Sequence, residues 1–334
     1  MSLPNKVLII QTAFLGDAIL ISSLLEKIRI ESPESSIHLL VRQGNESIFQ
    51  AYPHRNLTKV WAYDKKHKWA SWKTLQKDLK AENFDQVFVA QRFLGMGLLS
   101  LSIGAKKVIG FDKNPLSWFF TERVRHEWGN GKHETERNTA LLTSWLGAKV
   151  YKPYLSPNGN NILAVQDYIC ISPGSVWETK RLPVRVWIEF IKLLPNNQAV
   201  VLMGAPNEVH LAEEIEQACP ESKIINEAGK HGLVDAIRIY QHSLMSYVND
   251  SGPMHICSAV NTPTVAVFCS TIPAFGFGPL ADWNRIIEVK DLACRPCGDH
   301  GKKSCPLGHY ACGNQITGDS LFKSYQELLA SRSK

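Results

Sequence analysis

The residues best suited to chemistry lie in four short polar runs, each of which follows an apolar segment. The most telling is Val248-Asn249-Asp250-Ser251-Gly252-Pro253-Met254-His255, between an apolar run ending at Val248 and another at Thr264 to Phe268. It reads as a strand, a tight turn and a helix start. Such a turn leaves the first backbone N–H groups of the helix unpaired and points the positive end of its dipole at a docking anion, so a phosphorylated ligand is expected there. Asp250, Ser251 and Gly252 would hold a diphosphate or a sugar, and His255 lies in the first helical turn. A capped helix in any α/β domain has the same residue pattern, so the other runs decide the reading.

In Thr12-Ala13-Phe14-Leu15-Gly16-Asp17, Asp17 is either a carboxylate stabilised at a helix N-terminus or a general base. Gly16 stands alone, so the run is neither a Gly-x-Gly-x-x-Gly fingerprint nor a Walker loop. The third run, Ser172-Pro173-Gly174-Ser175-Val176-Trp177-Glu178-Thr179-Lys180-Arg181-Leu182-Pro183, offers the hydroxyls of Ser175 and Thr179 and the charges of Lys180 and Arg181 to a phosphate. In the fourth, Gly204-Ala205-Pro206-Asn207-Glu208, the Glu208 carboxylate would accept from ribose hydroxyls or simply face a helix start.

Strand-like and helix-like segments alternate through the chain. Lys6 to Gln11 is a strand buried on both faces, Ala18 to Ile30 has helical spacing, and Ile37 to Val41 is again strand-like: a β-α-β unit. Gln86 to Ala90 and Lys107 to Phe111 add strands, and Glu134 to Leu146 reads as a helix. The Pro- and Asn-rich stretch at 151–161 has linker composition. Alternation restarts with strands at Tyr168 to Ser172, Ala199 to Met203, Lys223 to Ile225, Met245 to Val248 and Thr264 to Phe268. Helices fall near Val184 to Leu194, Asn207 to Ala218 and Leu233 to Tyr240. Two doubly wound α/β domains follow, 1–160 and 161–318, with a closing helix in 319–334. Ligands of such sheets sit beyond the carboxyl ends of the strands, where all four runs lie.

The 334 residues suit two domains, and 44% hydrophobic with 20% charged residues is globular composition. Met1 to Asn5 has no leader-like character, and no later window has the eighteen apolar residues of a membrane span; a cytoplasmic protein is expected. The net charge of +6 would help it sit near anionic lipid or acidic substrates. The missing glycine fingerprint argues against a dinucleotide-dependent oxidoreductase, and the scatter of the basic residues argues against a non-catalytic nucleic-acid or lipid-surface binder.

Taken in order, four stretches resemble glycosyltransferase family nine, the ADP-heptose:lipopolysaccharide heptosyltransferases: Phe14 to Leu20, Ile103 to Phe111, Pro173 to Pro183 and Asn249 to His255. Arg295-Pro296-Cys297 followed by Lys303 to Cys312 is similar to the tail of heptosyltransferase II within that family. The resemblance implies GT-B architecture, two Rossmann-like domains across a cleft, with acceptor in the first and nucleotide sugar in the second. The helix in 319–334 would then return to the first domain. It implies inverting transfer of heptose from ADP-heptose to a heptose or Kdo of the lipid A inner core, at the inner face of a membrane. Asp17 would be the base, beside Phe14 and Gly16 on the acceptor side. Lys180, Ser175, Thr179, Ser251 and Gly252 would meet the departing ADP without a required metal or cofactor. Glu208 would hold the ribose, and Asp250 with His255 the heptose or diphosphate. A transferase of another nucleotide sugar is the alternative on the same scaffold. Cys269-Ser270-Thr271-Ile272-Pro273 departs from the Gly-Ser/Thr-x-x-Pro expected at that place.

Cys294, Cys297, Cys305 and Cys312, with His300 and His309 near them in sequence, would suit a tetrahedral zinc ion chemically, but their irregular spacing favours reduced thiols. Cys170, Cys219, Cys257 and Cys269 fall in or beside apolar elements, where free cysteine acts as a small hydrophobe.

Overall fold

The computed structural model describes residues 5–332, so Met1 to Pro4 lie outside it. The chain divides into two compact units, Met1–Pro157 and Asn158–Lys334.

The first unit runs β1 (Lys6–Gln11), α1 (Leu15–Leu20), α2 (Ser22–Glu31), β2 (Ser36–Arg42), β3 (Leu57–Tyr63), α3 (Lys68–Ala81), β4 (Gln86–Val89) and α4 (Leu94–Ser102). It continues with β5 (Lys107–Phe111), β6 (Glu122–Val124), α5 (Glu134–Thr139) and α6 (Thr143–Leu146). All its strand pairs are parallel, in the order β3-β2-β1-β4-β5-β6. Val7 to Ile10 are wholly buried, as a central strand covered on both faces requires.

The second unit runs β7 (Tyr168–Ser172), α7 (Val184–Leu193), β8 (Ala199–Leu202), α8 (Val209–Ala218), β9 (Ile224–Asn226), α9 (Leu233–Gln241) and β10 (Met245–Asn249). Then come α10 (Gly252–Ala259), β11 (Thr264–Phe268), β12 (Asn284–Glu288), α11 (Ala311–Asn314) and α12 (Gly318–Arg332). Its parallel sheet, β12-β11-β10-β7-β8-β9, repeats the order of the first when its strands are counted from β7. Both are the doubly wound arrangement expected. In each, the order reverses between the two central strands, β1 and β4 or β7 and β10, and ligands dock beyond the carboxyl ends at that reversal.

Helix α7 is amphipathic: Val186, Trp187, Phe190 and Ile191 form its buried stripe. Truncating Phe190, with no exposed surface, would cost about 3–5 kcal/mol. The closing helix α12 lies on this one and adds Leu321, Tyr325 and Leu328 to the same core. Gly318 permits the approach, because a Cβ there would stand 2.7 Å from the backbone nitrogen of Phe190. That docking lies within the second unit. Among the described residues no helix is long and apolar enough to cross a membrane.

Two expected helices are divided. In the segment 18–30, Ser22 and Ser23 hydroxyls donate to the carbonyls of Ile19 and Leu20, taking acceptors from the ladder where α1 gives way to α2. In the segment 134–146, Thr139 donates its hydroxyl to the carbonyl of Thr135 at 2.7 Å, and a tight turn at 140–142 separates α5 from α6.

Candidate active site

In the second unit, the loop after β7 is held by Asn249 at the end of β10. Its side-chain N–H groups donate to the carbonyls of Pro173 at 2.8 Å and Gly174 at 3.1 Å, while its oxygen accepts from the Leu182 amide at 3.0 Å. Both ends of the 173–182 loop are thereby fixed to the end of β10. In register Val248 stands beside Ser172, so the loops leave the sheet side by side.

Lys180 comes from this clamped loop, in a single tight turn at Glu178–Lys180. Its ammonium lies 2.6 Å from Oδ2 of Asp250, and both side chains are mostly buried. The Thr271 hydroxyl donates to the same oxygen at 2.6 Å. Asp250 directly precedes α10, whose first residues are Gly252 and Pro253 and whose N-cap, Ser251, makes no side-chain capping bond. A largely desolvated cation therefore stands beside an uncapped helix N-terminus at the strand-order reversal. That arrangement suits a diphosphate and strengthens as negative charge develops on it. His255 is buried in the first turn, with the ring of Phe277 edge-on at 6.3 Å.

Glu208 reaches the group from the loop after β8. Its Oε2 accepts from the Ala205 amide at 3.0 Å, the local helix-start role open to it from sequence. The same carboxylate presses on the third loop: a Cβ on Gly174 would stand 2.5 Å from Oε2 and nearer still to Cδ. Glycine at 174 is what lets the two loops converge.

Two expected phosphate ligands have structural duties. Arg181 turns away to donate to the Ser175 carbonyl at 2.7 Å, with Glu178 3.9 Å off, so the charge of the Lys-Arg pair falls to Lys180. The Thr179 hydroxyl accepts from the Lys302 amide at 2.8 Å, tying the loop to the cysteine-rich segment. Gly301 abuts Lys180 there, since a Cβ on it would lie 3.0 Å from Lys180 Cγ. Ser175 is buried, its hydroxyl accepting weakly from the Trp177 amide at 3.4 Å.

The sequence reading gave Thr271 and Arg295 no part in the site. Thr271 lies in the stretch that departs from the family pattern. Arg295 anchors that stretch by donating to the Thr271 carbonyl at 2.6 Å and pairing with Glu288 at 2.6 Å. A buried arginine spanning two strand ends has no sequence signal beyond its place before Pro296.

Among the described residues, no group of three or more His, Cys, Asp or Glu side chains is arranged to hold a metal ion. The Cys297 thiol donates to the Cys294 carbonyl at 3.3 Å, and all eight cysteines are free. Burial pushes the thiols of Cys257 and Cys269 up to about 12, the behaviour of inert core cysteine.

In the first unit, α1 begins at Leu15, so Asp17 sits inside the first helical turn and Phe14 at the N-cap is largely exposed. Gly16 is half-buried between them. Asp17 is within electrostatic reach of Lys65 and of Glu134. Burial pushes the Glu134 carboxyl up to about 7; Arg137, whose Nε lies 2.7 Å away, opposes that rise, and the charge of Asp17 adds to it.

Comparison with known proteins places the chain in a family. The chain matches Glycosyltransferase family 9 (heptosyltransferase) over residues 72–310. It is 23% identical to lipooligosaccharide heptosyltransferase 2 of Campylobacter jejuni subsp. jejuni, over 97% of this chain and 99% of the relative. It superposes on E. coli ADP-heptose lps heptosyltransferase II with a TM-score of 0.81 at 19% identity, covering 98% of this chain and all of that one. E. coli heptosyltransferase WaaC, solved with ADP, gives a TM-score of 0.73 at 18% identity, covering 97% and 99%. The chain belongs to glycosyltransferase family 9, the heptosyltransferases, and is a glycosyltransferase of two doubly wound α/β domains.

Proposed function

We propose that the protein moves heptose from ADP-heptose to a heptose or Kdo sugar of a lipid A inner core, with inversion. The observation that carries this reading is the Lys180–Asp250–Thr271 cluster at the open N-terminus of α10, with the Glu208 carboxylate one loop away. These groups fit a nucleoside diphosphate: the cation and helix end for its phosphates, the carboxylate for its ribose hydroxyls. The donor follows the name of the E. coli neighbour, ADP-heptose lps heptosyltransferase II, and the acceptor sugar follows the family resemblance.

In the reaction, the acceptor hydroxyl oxygen forms a bond to the anomeric carbon as the bond from that carbon to the β-phosphate oxygen breaks. The bonding pair leaves on ADP, and Asp17 takes the hydroxyl proton. Lys180 and the N–H groups at Ser251 and Gly252 meet the charge on the leaving diphosphate, with Ser175 and Thr179 beside them. Asp250 fixes the lysine ammonium and, with His255, faces the heptose. Phe14 and Gly16 flank the acceptor. The residues assigned supply proton transfer and charge stabilisation, and no cofactor is invoked. An acceptor carried on lipid brings the protein to the inner face of a membrane as a peripheral enzyme.

Calorimetric titration with ADP, GDP, UDP and NADH tests the donor side. ADP should bind selectively, and Lys180→Ala should weaken it about 10- to 100-fold, the loss of a charge-assisted contact. Preference for another diphosphate would keep the site and change the donor. Failure to bind any of the four would refute the reading.

A further inference from the structure

At the carboxyl end of the first sheet, the loops after β4 and β5 carry large side chains that the core does not use. Phe93 and Leu94 open α4, Leu98 follows one turn later, and each is about half exposed. On the next loop Trp118 is 78% exposed and Phe119 71%. Asn114 joins the loops: its amide donates to the carbonyls of Gln91 and Phe93, both at 3.1 Å, and its side chain fills the space beside Gly97 where a Cβ would go. The α4 start and the Trp118–Phe119 turn thus belong to one surface, and apolar rings gathered on an exposed surface mark a contact site.

Two arginines stand against these rings. The Arg123 guanidinium lies 4.0 Å from the centre of the Trp118 ring, and that of Arg92 5.7 Å from the Phe93 ring. Two carboxylates nearby carry hydrogen bonds of their own: Asp112 accepts from the His126 amide at 2.9 Å and Glu122 from the Ser144 hydroxyl at 2.7 Å. Rings under guanidinium groups match the bilayer interface, where aromatic side chains sit at headgroup depth and arginines reach lipid phosphates. A second copy of the chain fits less well, since a two-fold contact through this surface would bring arginines towards arginines.

We propose that the start of α4 and the Trp118–Phe119 turn, with Arg92 and Arg123, dock the protein on an anionic lipid bilayer. The proposal rests on the lipid-borne acceptor for its purpose, but vesicle binding is measured without turnover or donor, so either can fail alone.

The test is co-sedimentation of the full-length protein with vesicles of phosphatidylethanolamine and phosphatidylglycerol, against vesicles of phosphatidylcholine alone. Binding should favour the anionic vesicles and weaken with salt. Arg92→Gln with Arg123→Gln should lower partitioning about 30-fold, the effect of two charges lost near an anionic surface. Trp118→Ser with Phe119→Ser should also lower it at least tenfold, while Trp69→Ser, at an equally exposed ring on α3, should not. Circular dichroism and thermal unfolding should match the wild type in all of them, which shows that each folds, and calorimetric ADP binding should be unchanged. Equal losses in the Trp69 variant, or wild-type partitioning in the two double variants, would overturn the proposal. So would a dimer in light scattering that the Trp118/Phe119 substitutions dissociate while vesicle binding persists.

Discussion

Replacing Gly174 by alanine adds one methyl group against the Glu208 carboxylate, and its effect can be worked out atom by atom. Ordinary contacts begin near 3.4 Å and the new Cβ would stand 2.5 Å from Oε2, so the carboxylate must retreat by about 1 Å. The backbone imposes no strain, since Gly174 has none of the positive φ angles found at other glycines. The Glu208 side chain can rotate away, at the loss of its bond to the Ala205 amide, about 1 kcal/mol. Alanine recovers about 0.4–1 kcal/mol by restricting the unfolded chain. Thermal stability should therefore hardly change. If Glu208 holds the ribose, however, a hydrogen bond to a charged group is lost, about 1.5–3 kcal/mol, and ADP should bind about 10- to 150-fold more weakly. Calorimetry on Gly174→Ala, Glu208→Ala and the double variant isolates the cause, because the double variant should bind no worse than Glu208→Ala. ADP affinity within about threefold of wild type in Gly174→Ala, or independent losses that multiply in the double variant, would refute the reasoning.

Two further outcomes concern the first unit. Asp17→Asn should lower kcat about 10²- to 10⁴-fold with a lipid A core acceptor while leaving ADP affinity intact; near-normal turnover would remove Asp17 as the base. Glu134, raised to about 7 from the usual 4.5, keeps a proton in the folded state that the unfolded chain releases. Its contribution is therefore fully present below about pH 4.5 and is lost as pH rises through 7, up to about 3 kcal/mol, and Glu134→Gln should flatten that slope in denaturant titrations at successive pH values.

The interior strands were legible in the sequence because burial on both faces writes them as apolar runs: β1, β5, β7 and β11 fall where those runs lie. The edges were not. In β3 the exposed Thr58 and Lys59 interrupt the run, β6 is only Glu-Arg-Val, and β12 begins Asn-Arg. An edge strand has one neighbour and a wet flank, so nothing demands apolar continuity. At the donor-side site the loops themselves were legible, because strand ends and turn residues mark them. The partners inside them were not. That Asn249 clamps the lysine loop, that Arg181 serves a carbonyl while Lys180 keeps the charge, and that Thr271 supports Asp250 all depend on particular side-chain contacts, 6 positions apart for Arg181 and 21 to 76 for the others. Periodicity carries no information on such partners.

The repeated strand order means the chain visits one topological address twice. Asp17 follows β1 just as the Ser175–Lys180 run follows β7, and Arg92-Phe93-Leu94 follows β4 just as Asp250-Ser251-Gly252 follows β10. A scaffold position that offers main-chain N–H groups to an anion in one half offers rings and guanidinium groups in the other. No strand is shared between the two sets of loops, so on the functions proposed for them nucleotide preference would be edited after β7, β8 and β10, and surface attachment after β4 and β5, each without rewriting the other.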